Sequence, residues 1–381
     1  MVARNSFARL RRPGCNAARE NQSCKPESHP VLFPREVPFA SLFSMVKPGP
    51  RNLITDVEGL LVGNAEDARM RTGVTVLLCE RAMPAVADIR GGAPGTRDVE
   101  GLDPISLVEG VDAITLSGGS TFGNDAPSGV QAWLKKQGRG FEIRPGAPRV
   151  PIVPGAILFD LANGGEKDWG DVPPYRNLAL QAVGNVSRDF ALGNAGAGIG
   201  AVAGVYNGGL GSASAVTDDG YTVGALAAVN SLGSPIIPGT DVFWAFPFEQ
   251  NTEFGGRRLP GPLPQLDIDL PPDMKGGRPL ENTTIAIVAT DAELTRVELK
   301  RFAIMAQDGF ARALRPVHTP FDGDLVFAVS SAKRPIGAMR QQDVMRLGSI
   351  GADCLARAIA RGVFEAESIG ELKGYRDTFR P

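Results

Sequence analysis

From Asn52 onward, apolar and polar positions alternate with a period of two in one stretch after another. Leu60-Leu61-Val62-Gly63 and Thr72-Gly73-Val74-Thr75-Val76-Leu77-Leu78-Cys79 read as strands, and the charged segment Asn64 to Arg71 between them suits a hairpin-like pairing. Ala113 to Ser120 reads as a buried strand running into a tight glycine turn, followed by a helix from Ala126 to Gln137 that ends at Gly138. Val150 to Asp160 is a further strand region whose prolines place it near an edge or a bulge. After a loop from Trp169 to Tyr175 comes an Ala-rich helix over Asn177 to Ser187. Gly193 to Ala201 and Gly208 to Val216 read as glycine-rich strands crossing closely, and Thr222 to Asn230 as an apolar strand ending in an amide.

The sharpest change in pattern comes later. A Pro/Gly-rich connector, Pro260 to Pro279, stops at Leu280, and a β-branched alternating run begins: Glu281-Asn282-Thr283-Thr284-Ile285-Ala286-Ile287-Val288-Ala289-Thr290. Thr283 therefore sits at the mouth of a buried strand. It is either an ordinary strand start, or part of the glycosylation sequon Asn282-Thr283-Thr284, or a stored nucleophile. Downstream, Thr295-Arg296-Val297-Glu298 fits a capping box, with Val297, Phe302, Met305, Ala306 and Phe310 as the buried face of its helix. Pro320-Phe321-Asp322-Gly323-Asp324 makes a turn, Leu325 to Val329 a strand, and Met345 to Arg361 a last helix.

Composition removes several functions. The chain has 381 residues, 43% of them apolar and 22% charged, enough for one large or two medium domains. A net charge of -2 offers no general field for nucleic acid or an anionic membrane, and no run reaches the roughly 18 apolar residues of a membrane helix. Cys15, Cys24, Cys79 and Cys354 have no metal-ligand or disulfide spacing, so a reducing, cytoplasmic compartment is expected. Only two histidines, His29 and His318, are present, which leaves little room for metal centres or Ser-His-Asp chemistry, and no cofactor is expected. Residues 1–44 are Arg-rich and aperiodic and read as a disordered extension, with Met45 as an alternative start.

Other glycine-rich stretches carry less. The loop Ala87 to Arg97 can line a site or close a turn; Gly118-Gly119-Ser120 lacks the G-x-S-x-G spacing; Gly193 to Gly200 lacks both the dinucleotide spacing and a Walker lysine. Asn230 offers a fixed donor at a strand end or forms a turn. Phe243-Trp244-Ala245-Phe246-Pro247-Phe248 suits a core or subunit surface, because no basic residue interleaves it.

Four separated motifs in order, Asp88-Ile89-Arg90-Gly91-Gly92-Ala93, Gly208-Gly209-Leu210-Gly211, Asn282-Thr283-Thr284-Ile285, and Pro316-Val317-His318-Thr319-Pro320 with Asp322-Gly323-Asp324, resemble the DmpA-type peptidase family. That family comprises L-aminopeptidase/D-amidase-esterases and β-aminopeptidases and is similar to the nylon-oligomer hydrolases. The likeness covers about residues 50 to 365. It implies an α+β fold of four layers, αββα, like that of N-terminal nucleophile hydrolases, in a precursor that cuts itself between Asn282 and Thr283. Residues 45–282 become an α chain and 283–381 a β chain of one domain. The resemblance further implies Thr283 as nucleophile, with its freed amine as base, and Asn230 as oxyanion donor. Asp322 and Asp324 become an acidic pair that orients the Thr283 amine and hydroxyl.

The activity implied is aminopeptidase or amidase action on small peptides or amino-acid amides, by a homo-oligomer of processed α/β units without nucleic-acid or membrane partners. Hydrolysis of nylon-like oligomers, acyl transfer, and an unprocessed binding protein are the alternatives. Two departures stand out. Asn207 occupies the place of a lysine before the Gly-Gly-Leu-Gly turn, and Phe159 that of a tyrosine; an Asn supplies no cation and a Phe no hydrogen bond. A substitute such as Tyr206 is one way to restore the lost group.

Overall fold

The computed structural model describes residues 46–262, 265, 269–276 and 281–379. The expected extension 1–44 and part of the Pro/Gly-rich connector lie outside the described residues.

Alternation works out into two sheets that share one strand. The first holds β1 (Leu60–Asp67), the first half of β2 (Thr72–Ile89), β3 (Thr96–Arg97), β4 (Gly110–Ser117) and β5 (Gly155–Ile157). A small ribbon, β6 (Val202–Ala203) with β7 (Tyr206–Asn207), follows. The second sheet holds β8 (Gly209–Val216), β9 (Thr222–Asn230), β10 (Thr283–Ala292), β11 (Leu325–Arg334) and the far half of β2. Pairing of β2 with β4 is irregular between Leu78 and Met83 and resumes only at Met83 and Pro84; from Ala85 to Ile89 β2 pairs with β11, so one long strand feeds both sheets.

Three apolar layers follow from the period of two. Leu60, Val62, Leu77 and Leu116 meet Leu226, Ala228, Ile285, Ile287 and Phe327 between the sheets. The intervening positions Ala225, Ala227, Ala286, Val288 and Val326 face outward. There they pack under α3 (Arg296–Ala306), α4 (Asp308–Ala313) and α5 (Arg340–Glu365), through Phe302, Phe310, Leu355 and Ile359. Val74, Val76 and Ala113 pack on the opposite outer face beneath α1 (Ala126–Lys136) and α2 (Tyr175–Gly184). The result is the expected four-layered αββα sandwich. A short α6 (Tyr375–Thr378) closes the described chain, and no described helix is long and apolar enough to cross a membrane.

The Gly-Gly-Leu-Gly motif has a packing cause. A Cβ on Gly211 would stand 1.9 Å from the Ala358 carbonyl oxygen, so only glycine lets α5 lie directly on β8.

Several expected elements differ. The strand region 150–160 yields only the three residues of β5, since Pro151 and Pro154 have no N–H to give a ladder. Gly193 to Ala201 is a loop with a 3-10 turn at Gly196–Gly198 rather than a strand; its close approach is real, because a Cβ on Gly196 would meet Thr75 Oγ1 at 2.2 Å. The capping box is formed, Thr295 Oγ1 accepting from Glu298 N–H and Glu298 Oε2 from Thr295 N–H. Val297, however, is 72% exposed, and Phe310 belongs to a separate helix after a break at Gln307. The last helix is longer than its pattern suggested: its first turn lacks the apolar repeat, and its last turn continues it through Val363 and Phe364.

Candidate active site

Thr283 is the first residue of β10, a central strand between β9 and β11, and lies directly opposite Asn230, the last residue of β9. The alternation that sends Leu226, Ala228, Ile285 and Ile287 between the sheets sets Asn230 and Thr283 at one end of the same face. Both are buried.

Two groups converge on the Asn282 carbonyl oxygen. The Gly323 N–H donates to it at 2.9 Å, and the Thr283 hydroxyl donates to it from the next residue. Gly323 comes from the turn before β11, where Asn282 and Asp322 form an isolated parallel bridge. A Cβ on Gly323 would stand 2.6 Å from Thr283 Oγ1 and 2.8 Å from the Ala93 carbonyl oxygen, so glycine is required for the turn to approach the threonine. Ala93 N–H donates back to the Asp322 carbonyl at 2.8 Å, which ties the loop after β2 to this turn.

The acidic pair brackets the junction without touching the Thr283 hydroxyl. Asp324 Oδ1 accepts the Thr284 N–H at 2.7 Å, while its Oδ2 faces the His318 N–H at 3.2 Å and His318 Nδ1 at 3.0 Å. Asp322 Oδ2 accepts from the Thr319 N–H at 2.9 Å and hydroxyl at 2.6 Å, and its Oδ1 faces the Leu232 N–H. Burial and then the neighbouring Asp324 charge push the Asp322 carboxyl above the usual range.

Asn230 likewise lies one residue upstream of its expected target. Its Oδ1 accepts from the Val202 N–H at 2.9 Å, which leaves the amide nitrogen to donate to the Phe159 carbonyl at 3.0 Å and the Glu281 carbonyl at 2.9 Å. The donor at the Asn282 carbonyl is a backbone N–H, a group without a side-chain signature.

The same carbonyl reveals a residue the sequence reading missed. Lys275 Nζ donates to the Glu281 carbonyl at 3.0 Å and to Asn230 Oδ1 at 3.1 Å, and its own N–H is anchored on the Leu232 carbonyl at 2.8 Å. Burial pushes this ammonium down to about 8, against the opposing pull of Glu281 and Asp322. Asn207, by contrast, holds the Glu367 and Leu372 carbonyls with its amide, and Phe159 contributes only its carbonyl. Tyr206 packs against Phe379 in the core under α5 and is not hydrogen-bonded to the junction. The cation that Asn207 cannot supply is thus present from another segment.

A cavity of about 650 Å³ opens beside the junction, lined by Lys275, Asn207, Arg71, Asn163 and Glu371 with apolar Ile199 and Val202. A smaller recess lined by Glu281, Asn230 and Phe159 shares Lys275, Asn163, Gly200 and Val202 with it. Among the described residues no cluster of His, Cys, Asp or Glu is arranged to hold a metal ion.

The sequence model of Peptidase family S58 matches residues 52–376. An uncharacterised aminopeptidase of Mycobacterium bovis is 39% identical over 345 residues, spanning 86% of this chain and 98% of that protein. A 6-aminohexanoate-oligomer endohydrolase of Kocuria sp. is 29% identical over 293 residues, spanning 74% of this chain and 76% of that one. Among solved structures, a β-aminopeptidase of Burkholderia sp. aligns with a TM-score of 0.64 at 20% identity, over 90% of this chain and 99% of that chain. The L-aminopeptidase D-Ala-esterase/amidase of Ochrobactrum anthropi, described as a variant of the Ntn hydrolase fold, aligns with a TM-score of 0.60 at 21% identity, over 85% and 89%.

Proposed function

The chain belongs to peptidase family S58, and from that premise we propose that it is a self-processing amide hydrolase of the aminopeptidase type, with Thr283 as its nucleophile. One observation carries the reading: the Asn282 carbonyl oxygen is held by the Gly323 N–H and touched by the Thr283 hydroxyl. In the precursor, Thr283 Oγ1 adds to the Asn282 carbonyl carbon, and the oxyanion that forms accepts from Gly323. The C–N bond then breaks, the amine takes the hydroxyl proton, and Asn282 is left as an ester on Thr283. Water hydrolyses that ester, giving an α chain that ends at Asn282 and a β chain of residues 283–381.

The freed α-amine titrates near a reference value of about 7.7 to 8.0, so close to neutral pH it can take the proton of its own hydroxyl. The hydroxyl adds to the acyl carbon of a small peptide or amino-acid amide, and Gly323 serves the second oxyanion as it served the first. A donor of this kind contributes about 3 kcal/mol in comparable sites. Asn230 acts through the chain it holds, and Asp324 through Thr284, fixing the first residues of β10 against the turn that carries Gly323. The alternative of an unprocessed binding protein rests on Asn207 and Phe159; Lys275 supplies a cation beside the junction, while Phe159 brings only its carbonyl.

The intact mass of the denatured protein tests this. Wild type is expected as two fragments, one ending at Asn282 and one beginning at Thr283, and Thr283→Ala as one 40.2 kDa chain without amidase activity. A wild type that stays whole, or a variant that still cuts, overturns the reading.

A further inference from the structure

Self-cleavage and turnover pass through the same kind of ester on Thr283, so whatever holds the precursor's acyl half shows what the site can hold in a substrate. In the precursor that half is Glu281-Asn282. The Glu281 carbonyl oxygen lies four covalent bonds from the scissile carbon and is bound by two donors, the buried Asn230 Nδ2 at 2.9 Å and the half-buried Lys275 Nζ at 3.0 Å. Each donor has a tether outside the Glu281–Thr283 segment, although Asn230 also pairs with Thr283 across the ladder. Asn230 belongs to β9 and is oriented by the Val202 N–H, and Lys275 is anchored through its backbone on Leu232.

When Glu281 withdraws after cleavage, the ammonium and the amide N–H lose an acceptor. Restoring one is worth most when it carries a negative charge. The adjoining cavity has the same bias: Arg71 lines it and donates to the Asn163 carbonyl at 2.9 Å, and among the described residues no carboxylate lies within salt-bridge distance of Arg71 or Lys275. Among the described residues Glu371 is the acid on the wall of this cavity, and the recess that holds Lys275 and Asn230 adds Asp160 and Glu281.

Resting on the hydrolase reading above, we propose that Lys275 and Asn230 form an acyl-side subsite for a carboxylate four bonds from the reacting carbonyl carbon, as in an aspartyl group. The aspartyl Cα, Cβ, Cγ and Oδ then retrace the path from the Asn282 Cα through the peptide nitrogen to the Glu281 oxygen. A leucyl side chain has the branching but nothing to accept, and leaves each donor one acceptor short, Asn230 with the Phe159 carbonyl and Lys275 with Asn230 Oδ1. An N-acylated residue reaches the same point with a neutral carbonyl.

The test uses the matured full-length protein and four p-nitroanilides: aspartyl, asparaginyl, leucyl and N-acetylalanyl. The aspartyl compound is expected to exceed the leucyl one at least tenfold in kcat/KM and to exceed the asparaginyl one. The Asp-to-Leu ratio should fall at least tenfold in Lys275→Met and be retained in Lys275→Arg. Equal or better turnover of the leucyl or N-acetylalanyl compound, or a ratio unchanged in Lys275→Met, overturns the subsite. If Lys275→Met fails to mature, the wild-type ratios and Lys275→Arg still decide. Protein that has cut itself but hydrolyses none of the four would instead overturn the hydrolase reading, so the two failures are distinguishable.

Discussion

The two sides of the Asn282-Thr283 bond are built in different ways. Downstream, Thr283 and Thr284 belong to a strand hydrogen-bonded on both flanks, β9 on one side and β11 on the other, and are backed by the turn that carries Asp322, Gly323 and Asp324. Upstream, Glu281 is held from outside the ladder by side chains, Asn230 and Lys275, the second of which comes from the Pro/Gly-rich connector. A ladder fixes a nucleophile by many cooperative backbone bonds. Side-chain donors fix an acyl group by a few strong ones, and these can be vacated when the chain is cut. A rigid attacking side and a releasable acyl side are what a site needs if it is to cleave itself once and then accept other amides.

The largest effect should come from disturbing the rigid side. Gly323→Ala puts a methyl 2.6 Å from Thr283 Oγ1 and forces the turn off the junction, moving the N–H away from the Asn282 carbonyl. Loss of an oxyanion donor costs about 2.7–4 kcal/mol, so self-cleavage should slow by roughly 10²- to 10³-fold. A time course of intact mass after expression reads this directly, with a thermal melt to confirm that the chain is folded; cleavage at the wild-type rate would remove Gly323 from the mechanism.

The releasable side should show a smaller effect. Lys275→Met removes one of two donors from the Glu281 carbonyl and one of two from Asn230 Oδ1, leaving Asn230 to hold the Glu281 carbonyl alone. A charged hydrogen bond of this kind is worth about 1.5–3 kcal/mol, or roughly ten- to a hundredfold in maturation rate. The same mass assay measures it. An effect as large as that of Gly323→Ala would mean that the acyl side is as rigid as the strand.

The contrast also explains what could be read without coordinates. Thr283 was legible because a period-two run begins there, and the Thr295 cap because its two partners are three residues apart. The αββα layers were implied by the resemblance to the DmpA-type family, and the structure realises them through the same alternation, successive residues of β9 and β10 serving different cores. Lys275 was not legible: it sits between prolines and glycines in an aperiodic segment, and its chemistry arises 45 residues away in the chain, at Asn230. Gly323 looked like part of a turn, because a backbone donor carries no residue signature. Asn230 was found as a strand-end amide, yet its target was displaced by one residue, since only the register of the strands tells which carbonyl it faces. Val297 misled because the first turn of a capped helix can match the apolar spacing while still facing solvent.

The smallest effect, and the one that isolates the charge on the acyl side, is a dependence on pH. Burial lowers the Lys275 ammonium from 10.5 to about 8, so it is charged below that pH and increasingly neutral above it. A neutral amine still donates a hydrogen bond but no longer attracts a carboxylate. The aspartyl-to-leucyl ratio in kcat/KM should therefore be highest below pH 7 and fall by roughly threefold to tenfold between pH 7 and 9. The Thr283 amine titrates over the same window, but it acts on both substrates alike and cancels in the ratio. The aspartyl carboxylate is ionised throughout, and the protein carboxyls that bear on Lys275 are those of Glu281 and Asp322. Lys275→Arg separates the remaining possibilities, because a guanidinium keeps its charge across the range and should hold the ratio flat. A ratio that falls equally in wild type and Lys275→Arg would trace the effect to another group, and would leave the acyl side dependent on hydrogen bonding alone.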